Sequence, residues 1–414
     1  MTAHRVAVTG IGVVTPLGIG IDAFWEGVLS ERVAVAPITR FDTAGYRTRI
    51  AAQIDAFEPR AFLTAKRLNW TDRFSQFSIA AARLALEDAG YNASAASGDV
   101  GVYLGSALGG LAFADEQHDV FRERGLDAVK PLLAISVFGG AATCNVAIEF
   151  GLRGPTVANG NSCASGAVAI GDAFRAITRG DVRAALAGGV EAPLSPLVFG
   201  AFTVIRAMSE RNDAPQAASR PFDRGRDGFV MAEGAGVLLL ERLADARARG
   251  ARVYGEIAGY GLTNDAYHMS APRPDGAMNA DAMRRALDEA HAAPADVDLV
   301  NAHGSGTPLG DRCETVALET LFGERAASVP VTATKGQHGH ALGATGAWEA
   351  ALSLLALVHQ TVPRSVNTDD ADPACNLALT RTRLERRLRT VLSNSAGFGG
   401  INAALVFRRL DDDG

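Results

Sequence analysis

Arg83-Leu84-Ala85-Leu86-Glu87-Asp88-Ala89 finds an echo further along the chain in Arg284-Arg285-Ala286-Leu287-Asp288-Glu289-Ala290. Each stretch is followed by a short linker and then by an Asp-Val strand start, at Asp99-Val100 and Asp296-Val297. Each strand in turn runs into a Gly/Ser loop, Leu104-Gly105-Ser106 in one case and His303-Gly304-Ser305 in the other. Two helix–strand–loop units about half a chain apart predict two similar halves around one core. The alternative is chance agreement between Ala-rich helices, which the echo alone does not remove. Working outward, short β-branched runs alternate with Ala-rich helical segments, the signature of an α/β class with mostly parallel sheets. Strands are expected over 5–9, 100–104, 184–187, 236–241, 299–302, 329–332, 390–393 and 403–407. Helices are expected over 73–89, 164–178, 280–291, 314–321 and 347–359. A crossing segment near 240–255, after Leu238-Leu239-Leu240, divides the chain into an expected 1–250 half and a 251–414 half. No Pro- or Ser-rich linker marks the division, so the halves should pack tightly.

Composition narrows the function. With 414 residues, 48% of them hydrophobic, the chain is long enough for a large core. A formal net charge of −6 and no basic stripe argue against nucleic acid as a partner. Local basic patches remain compatible with an acidic protein partner, because net charge says nothing about distribution. Met1-Thr2-Ala3-His4-Arg5 runs straight into the apolar Val6–Val8, which predicts no export leader. No apolar run approaches the ~20 residues of a spanning helix, so no membrane association is expected. Cys144, Cys163, Cys313 and Cys375 lie without zinc-finger spacing, which predicts a reduced, cytoplasmic protein whose cysteines matter as thiols.

Four segments carry candidate chemistry. In Gly160-Asn161-Ser162-Cys163-Ala164-Ser165-Gly166, small residues surround one cysteine and a helix-compatible run follows it. Cys163 near a helix N-terminus should have a lowered thiol pKa, since unpaired N–H groups favour thiolate. Small neighbours let a carbonyl approach the sulfur, and backbone N–H groups can hold an oxyanion. The other three cysteines read as buried and inert. His303 ends an apolar strand and opens a Gly-rich loop, the place where α/β active sites form; a histidine simply bonded within its loop is the plainer reading. In Thr334-Lys335-Gly336-Gln337-His338-Gly339-His340, a buried lysine would need a counter-charge, and Glu349 lies next downstream. Metal ligation by His338 and His340 with Cys163 or Cys313 fits less well because zinc spacing is missing, and a Schiff base on Lys335 fits less well because the lysine already has an ion-pair role. In Ser395-Ala396-Gly397-Phe398-Gly399-Gly400, a lone aromatic between glycines reads as a gate, a hairpin turn, or both.

Taken in order and spacing, these segments resemble the β-ketoacyl-acyl-carrier-protein synthases, the elongating type II enzymes and the ketosynthases of polyketide pathways. Val8-Thr9-Gly10-Ile11-Gly12, Arg220-Pro221-Phe222-Asp223 and Asn264-Asp265-Ala266-Tyr267-His268-Met269 extend the resemblance over almost the whole chain. It implies a thiolase-like fold, a five-layered αβαβα sandwich of two related halves, and a dimer with its pockets near the interface. It also implies decarboxylative condensation of a Cys163-bound acyl group with a malonyl carrier, giving a 3-ketoacyl carrier. His303 and His340 would assist, Lys335 would pair with Glu349, and the N–H groups of Cys163 and Phe398 would hold the oxyanion. Ser305 and Thr307 match positions that bond the phosphopantetheine arm, and Phe202 and Leu108 match positions of the acyl channel. Arg206, with Lys66 and Arg67, matches a landing area for the acidic acyl carrier protein. No metal or redox cofactor is implied; substrates arrive on the phosphopantetheine of the carrier. The partner chain would be an identical copy or a chain-length-factor-like ketosynthase subunit.

The sequence departs from the familiar pattern at Gly306 between Ser305 and Thr307, at Gly336-Gln337-His338-Gly339, and at Ala396, where relatives carry Phe. The loss of a phenyl group should widen the space beside the gate. That leans toward a specialised polyketide or unusual fatty-acyl pathway over bulk fatty-acid synthesis. A thiolase would need a second cysteine where Phe398 stands, an initiating enzyme would carry Asn at His340, and a non-catalytic partner subunit or a starter-loading decarboxylase would lack Cys163.

Overall fold

The computed structural model describes residues 4–93 and 98–410. Its spine is one 12-stranded sheet. In chain order the strands used below are β1 (Val6–Thr15), β2 (Val100–Gly105), β3 (Thr156–Asn159), β4 (Ala184–Glu191), β5 (Gly234–Arg242), β6 (Gly255–Asn264), β7 (Leu299–Asn301), β8 (Pro330–Thr332), β9 (Ala378–Leu379), β10 (Thr390–Gly397) and β11 (Ile401–Arg408). The main helices are α1 (Arg73–Asp88), α2 (Ser165–Arg179), α3 (Ala277–Glu289), α4 (Pro308–Phe322) and α5 (Thr345–His359).

The sheet runs β9-β8-β7-β10-β11-β6-β1-β5-β4-β2-β3. Read outward from its centre, β1-β5-β4-β2-β3 and β6-β11-β10-β7-β8 follow the same order. The pairings match as well. Both sequences begin with two antiparallel contacts and end with two parallel ones. The two sets meet only where β1 pairs with β6, through Val6↔Ile257, Ala7↔Glu256 and Val8↔Gly255.

The opening echo has a physical cause. Ala85 and Ala286 stand at equivalent points of α1 and α3, and each receives a glycine-containing strand. A Cβ at Gly10 would lie 2.1 Å from the Ala85 carbonyl oxygen, and one at Gly259 would lie 2.0 Å from that of Ala286. One turn earlier, Gly12 and Gly261 approach Ala81 and Ala282 equally closely, at 1.9 and 1.8 Å. Only glycine permits a helix backbone this near a strand.

Three apolar layers follow. Phe74, Phe77 and Ala81 pack α1 on the first set of strands. Met283, Leu287 and Leu318 pack α3 and α4 on the second. Between the sets lie α2 and α5, with Val168, Ile170, Trp348 and Leu352 in the largest core cluster. Helix, sheet, helices, sheet, helix: this is the five-layered αβαβα arrangement. The stretch Leu342–His359 is long and apolar enough to cross a membrane, contrary to expectation, but 89% of it is buried as this central layer.

Every expected strand and helix is present, with shifted ends. Helices Leu111–Arg124 and Ala141–Phe150 and strand β6 were not anticipated. Glycine is depleted in strands, and the glycines that disguise β6 are those that admit α3.

Candidate active site

Cys163 sits where the chain turns from β3 into α2. Ser162 adopts φ 52°, a left-handed backbone, and Ser162–Ala164 form a 3-10 turn ahead of the helix. Ser165 Oγ donates to the Ser162 carbonyl at 2.7 Å and closes the turn. Gly397 approaches so closely that a Cβ there would lie 3.1 Å from the Cys163 nitrogen. That approach brings the Phe398 N–H onto the sulfur.

The thiol does not behave as its helix position suggests. Burial pushes Cys163 up to about 11, against contacts from Ser162 Oγ and the Phe398 N–H and the charge of Lys335. This runs opposite to the expected lowered pKa, because desolvation by burial outweighs the contacts that favour thiolate.

His303 and His340 face each other edge to face, with ring centroids 5.3 Å apart. Three contacts fix His340. Its backbone donates to Val230 O at 2.7 Å, its Nδ1 meets Thr345 Oγ1 at 3.0 Å, and its ring stands 5.4 Å from that of Phe229. His303 keeps an edge open to the cavity, while its loop is held by Glu314, which accepts from the N–H groups of His303 and Gly304 at 2.7 and 2.8 Å. Burial, and then the nearby Lys335 charge, hold both rings well below the usual histidine range. Both are neutral at physiological pH. Lys335, fully buried, donates to Glu349 Oε1 and to the His303 carbonyl, so one ammonium fixes the carboxylate and the histidine loop together. Burial pushes Glu349 up and the Lys335 charge pulls it down.

One cavity of about 530 Å³ joins these groups. Cys163, His303 and His340 line its floor, and Ser305 and Thr307 line the wall beside them. The two hydroxyls lie 2.9 Å apart, and Thr307 also caps α4 through the Gly310 N–H. Phe398 stacks on Phe202, with centroids 6.3 Å apart and planes 18° apart, and Ala396 and Leu108 line the same space. Arg206 stands exposed at the rim. Lys66 is exposed, whereas Arg67 is half-buried and donates to Glu149 at 3.0 Å and to Asn145 at 2.9 Å.

His338 lies outside the cavity. Its ring is spent on Thr334 Oγ1 and the Gly339 carbonyl, and no cluster of three metal-ligating side chains exists among the described residues. Cys144 is half-buried rather than buried, and Cys313 lines the far end of the cavity with its thiol donating to Arg273 O. Two carboxylates escaped the sequence reading, Glu314 and Glu191. For Glu191 a signal existed: it is the one charged residue in the fully buried strand β4.

Residues 3–246 match the family described as β-ketoacyl synthase, N-terminal domain, and residues 254–369 match its C-terminal domain. A 3-oxoacyl-[acyl-carrier-protein] synthase 2 of Coxiella burnetii (strain RSA 493 / Nine Mile phase I) is 40% identical over 414 residues, covering 100% of both chains. One from Staphylococcus aureus (strain COL) is 40% identical over 98% of this chain and 99% of its own. Among solved structures, a β-ketoacyl synthase from Burkholderia phymatum STM815 superposes with a TM-score of 0.92 at 34% identity, over 99% of this chain and 100% of that one. The ishigamide ketosynthase/chain length factor does so at 0.93 and 32%, with the same coverage. A turn-borne cysteine, two neutral histidines and a buried lysine in one cavity thus occur in a chain that belongs to the β-ketoacyl synthases, acyltransferases of thiolase-like fold.

Proposed function

We propose that this chain elongates acyl groups by decarboxylative condensation on acyl carrier protein, with Cys163 as the acylated nucleophile. The observation that carries the reading is the neutral His303–His340 pair facing one cavity with Cys163. Cys163 gives up its proton and attacks the acyl-carrier thioester. The N–H groups of Cys163 and Phe398 take the oxyanion, and the carrier thiol leaves. A malonyl carrier then loses carbon dioxide. Its enolate oxygen receives ring N–H bonds from His303 and His340, each of which as a neutral imidazole still carries one N–H to donate. For His340, a hydrogen bond from the Thr345 hydroxyl to Nδ1, 3.0 Å away, would leave the proton on Nε2 to donate. The carbanion attacks the Cys163 thioester and releases a 3-ketoacyl carrier.

Lys335 and Glu349 hold the histidine loop, Ser305 and Thr307 receive the phosphopantetheine arm, and Phe398 gates a channel walled by Phe202, Leu108 and Ala396. Arg206 meets the acidic carrier. No metal or redox group takes part. The solved relatives include a type II polyketide ketosynthase in complex with its acyl-carrier protein, 32% identical with a TM-score of 0.90. The second subunit is another ketosynthase-type chain, identical or chain-length-factor-like, seated on the exposed edge of β3. Residues 1–250 and 251–414 are the two halves, supported by their matching strand orders. Four free cysteines support a cytoplasmic setting. Ala396 and Gly306 support an unusual acyl substrate over bulk synthesis, although the curated relatives named above are fatty-acid-type enzymes.

Incubation with a panel of acyl carrier proteins followed by intact-mass measurement tests this. An acyl adduct on the parent chain that is missing in Cys163→Ala supports the reading; an adduct that persists in the variant overturns it.

A further inference from the structure

The second half repeats the nucleophile's turn. Leu342 has φ 43° where Ser162 has 52°, and Leu342–Ala344 form a 3-10 turn as Ser162–Ala164 do. Helices α5 and α2 then begin at Thr345 and Ser165. The two turns face each other: a Cβ at Gly166 would lie 2.7 Å from Gly343 O, and one at Gly346 would lie 2.9 Å from Ala167 N. The position of Cys163 is taken by Gly343.

Ala164 N donates to Asn161 O within the first turn, as Ala344 N does to Ala341 O within the second, and this leaves the equivalent N–H groups of Cys163 and Gly343. That of Gly343 faces a carboxylate. Gly343 N donates to Glu191 Oε2 at 3.0 Å, and Ala107 N donates to the same oxygen at 2.7 Å. Leu108 N and Ser106 Oγ donate to Oε1 at 3.1 and 2.9 Å. Glu191 is fully buried, and no cation pairs with it among the described residues. It sits in an anion hole of three N–H groups and one hydroxyl, the arrangement that stabilises oxyanions elsewhere. The donors also matter for the cavity. Ala107 and Leu108 form part of its wall, and Leu342, next to Gly343, lines it two residues after His340.

We propose that Glu191 is a positioning residue whose carboxylate fills the duplicate anion hole and thereby sets the Ala107–Leu108 acyl wall against the Leu342 turn. This rests on the condensation reading above. Acyl chains long enough to touch Leu108 depend on it, and short ones do so less.

Glu191→Gln and Glu191→Ala test it. An amide nitrogen at Glu191→Gln points N–H at N–H donors, so acylation of Cys163 by a long-chain carrier should fall about tenfold, with a smaller fall for an acetyl carrier. In Glu191→Ala, excess formate should refill the hole, raising the melting temperature and restoring part of the long-chain rate, whereas chloride at equal ionic strength should do neither. A Glu191→Gln variant with the parent's rates and chain-length ratio overturns the proposal, as does an equal loss for both chain lengths. If Glu191→Ala does not fold, the ratio in Glu191→Gln decides. The formate effect on melting is read on the protein alone, so its failure counts against the hole. A parent chain that takes no acyl group counts instead against the condensation reading.

Discussion

The two halves share strand order, glycine-lined helix contacts and a left-handed turn ahead of a central helix, yet they do different chemical work. On the proposed reading, the first half contributes the reacting atom, the sulfur of Cys163. The second contributes the surroundings, with His303 at the end of β7, Lys335 and His340 after β8, and Phe398 after β10. Two matching scaffolds face each other across α2 and α5. Chemistry needed only one nucleophile, and the second turn kept glycine and holds an internal carboxylate. Division of labour here is a matter of a few side chains at equivalent positions on equivalent backbones.

The histidines test that division most strongly. His303→Ala and His340→Ala should each lower condensation about 10²–10³-fold, as loss of a donor to a developing oxyanion does. Acylation of Cys163, which belongs to the other half, should survive; single-turnover mass spectrometry separates the two steps. If acylation falls as far as condensation, the halves do not divide the work in this way.

The structural equivalence breaks or holds at the glycines. Gly12→Ala and Gly261→Ala each drive a methyl into a helix carbonyl, so each should cost about 1–3 kcal/mol by overpacking. Denaturant melts of the two variants should agree; a loss confined to one would show that the matching contacts are not equally loaded.

The thiol offers a smaller, graded effect. Its value is raised, so the thiolate is scarce at neutral pH and grows as pH climbs toward about 11. Alkylation of Cys163 by iodoacetamide should therefore keep rising about tenfold per pH unit between pH 8 and 10. A plateau near pH 8 would mean that the helix terminus prevails over burial. The smallest change is expected at Ala396→Phe. Restoring a phenyl group beside the gate should shift the preferred acyl length by a few-fold in kcat/KM, the scale of shape selection in apolar pockets.

How far the sequence foretold this depends on the range of the interaction. The echo at Ala85 and Ala286 was legible because helix packing leaves small residues at fixed spacing. Cys163, His303, Lys335 and His340 were legible because each stands beside glycines at the end of a strand. The lone charge of Glu191 in an apolar strand was visible, but its role was not, because its partners lie 83–85 positions before it and 152 after it. Nor was the fate of Arg67, whose carboxylate partner Glu149 sits on a helix that was not anticipated. The upward push on the thiol was hidden for the same reason: a helix start is local, whereas burial is a property of the whole fold.

The short seam between β1 and β6 bears on how the chain is made. Val6–Val8 belong to β1, but their partners, Gly255–Ile257, follow about 250 residues later. At ribosomal speeds of roughly 5–20 residues per second, that edge waits on the order of ten to fifty seconds for its cover. For this interval Val6–Val8 lack these partners, and an unpaired apolar strand segment is a surface on which another half-made chain can add itself. A pause or truncation before Gly255 should thus favour aggregates, and the order of translation becomes part of what this doubled architecture must manage.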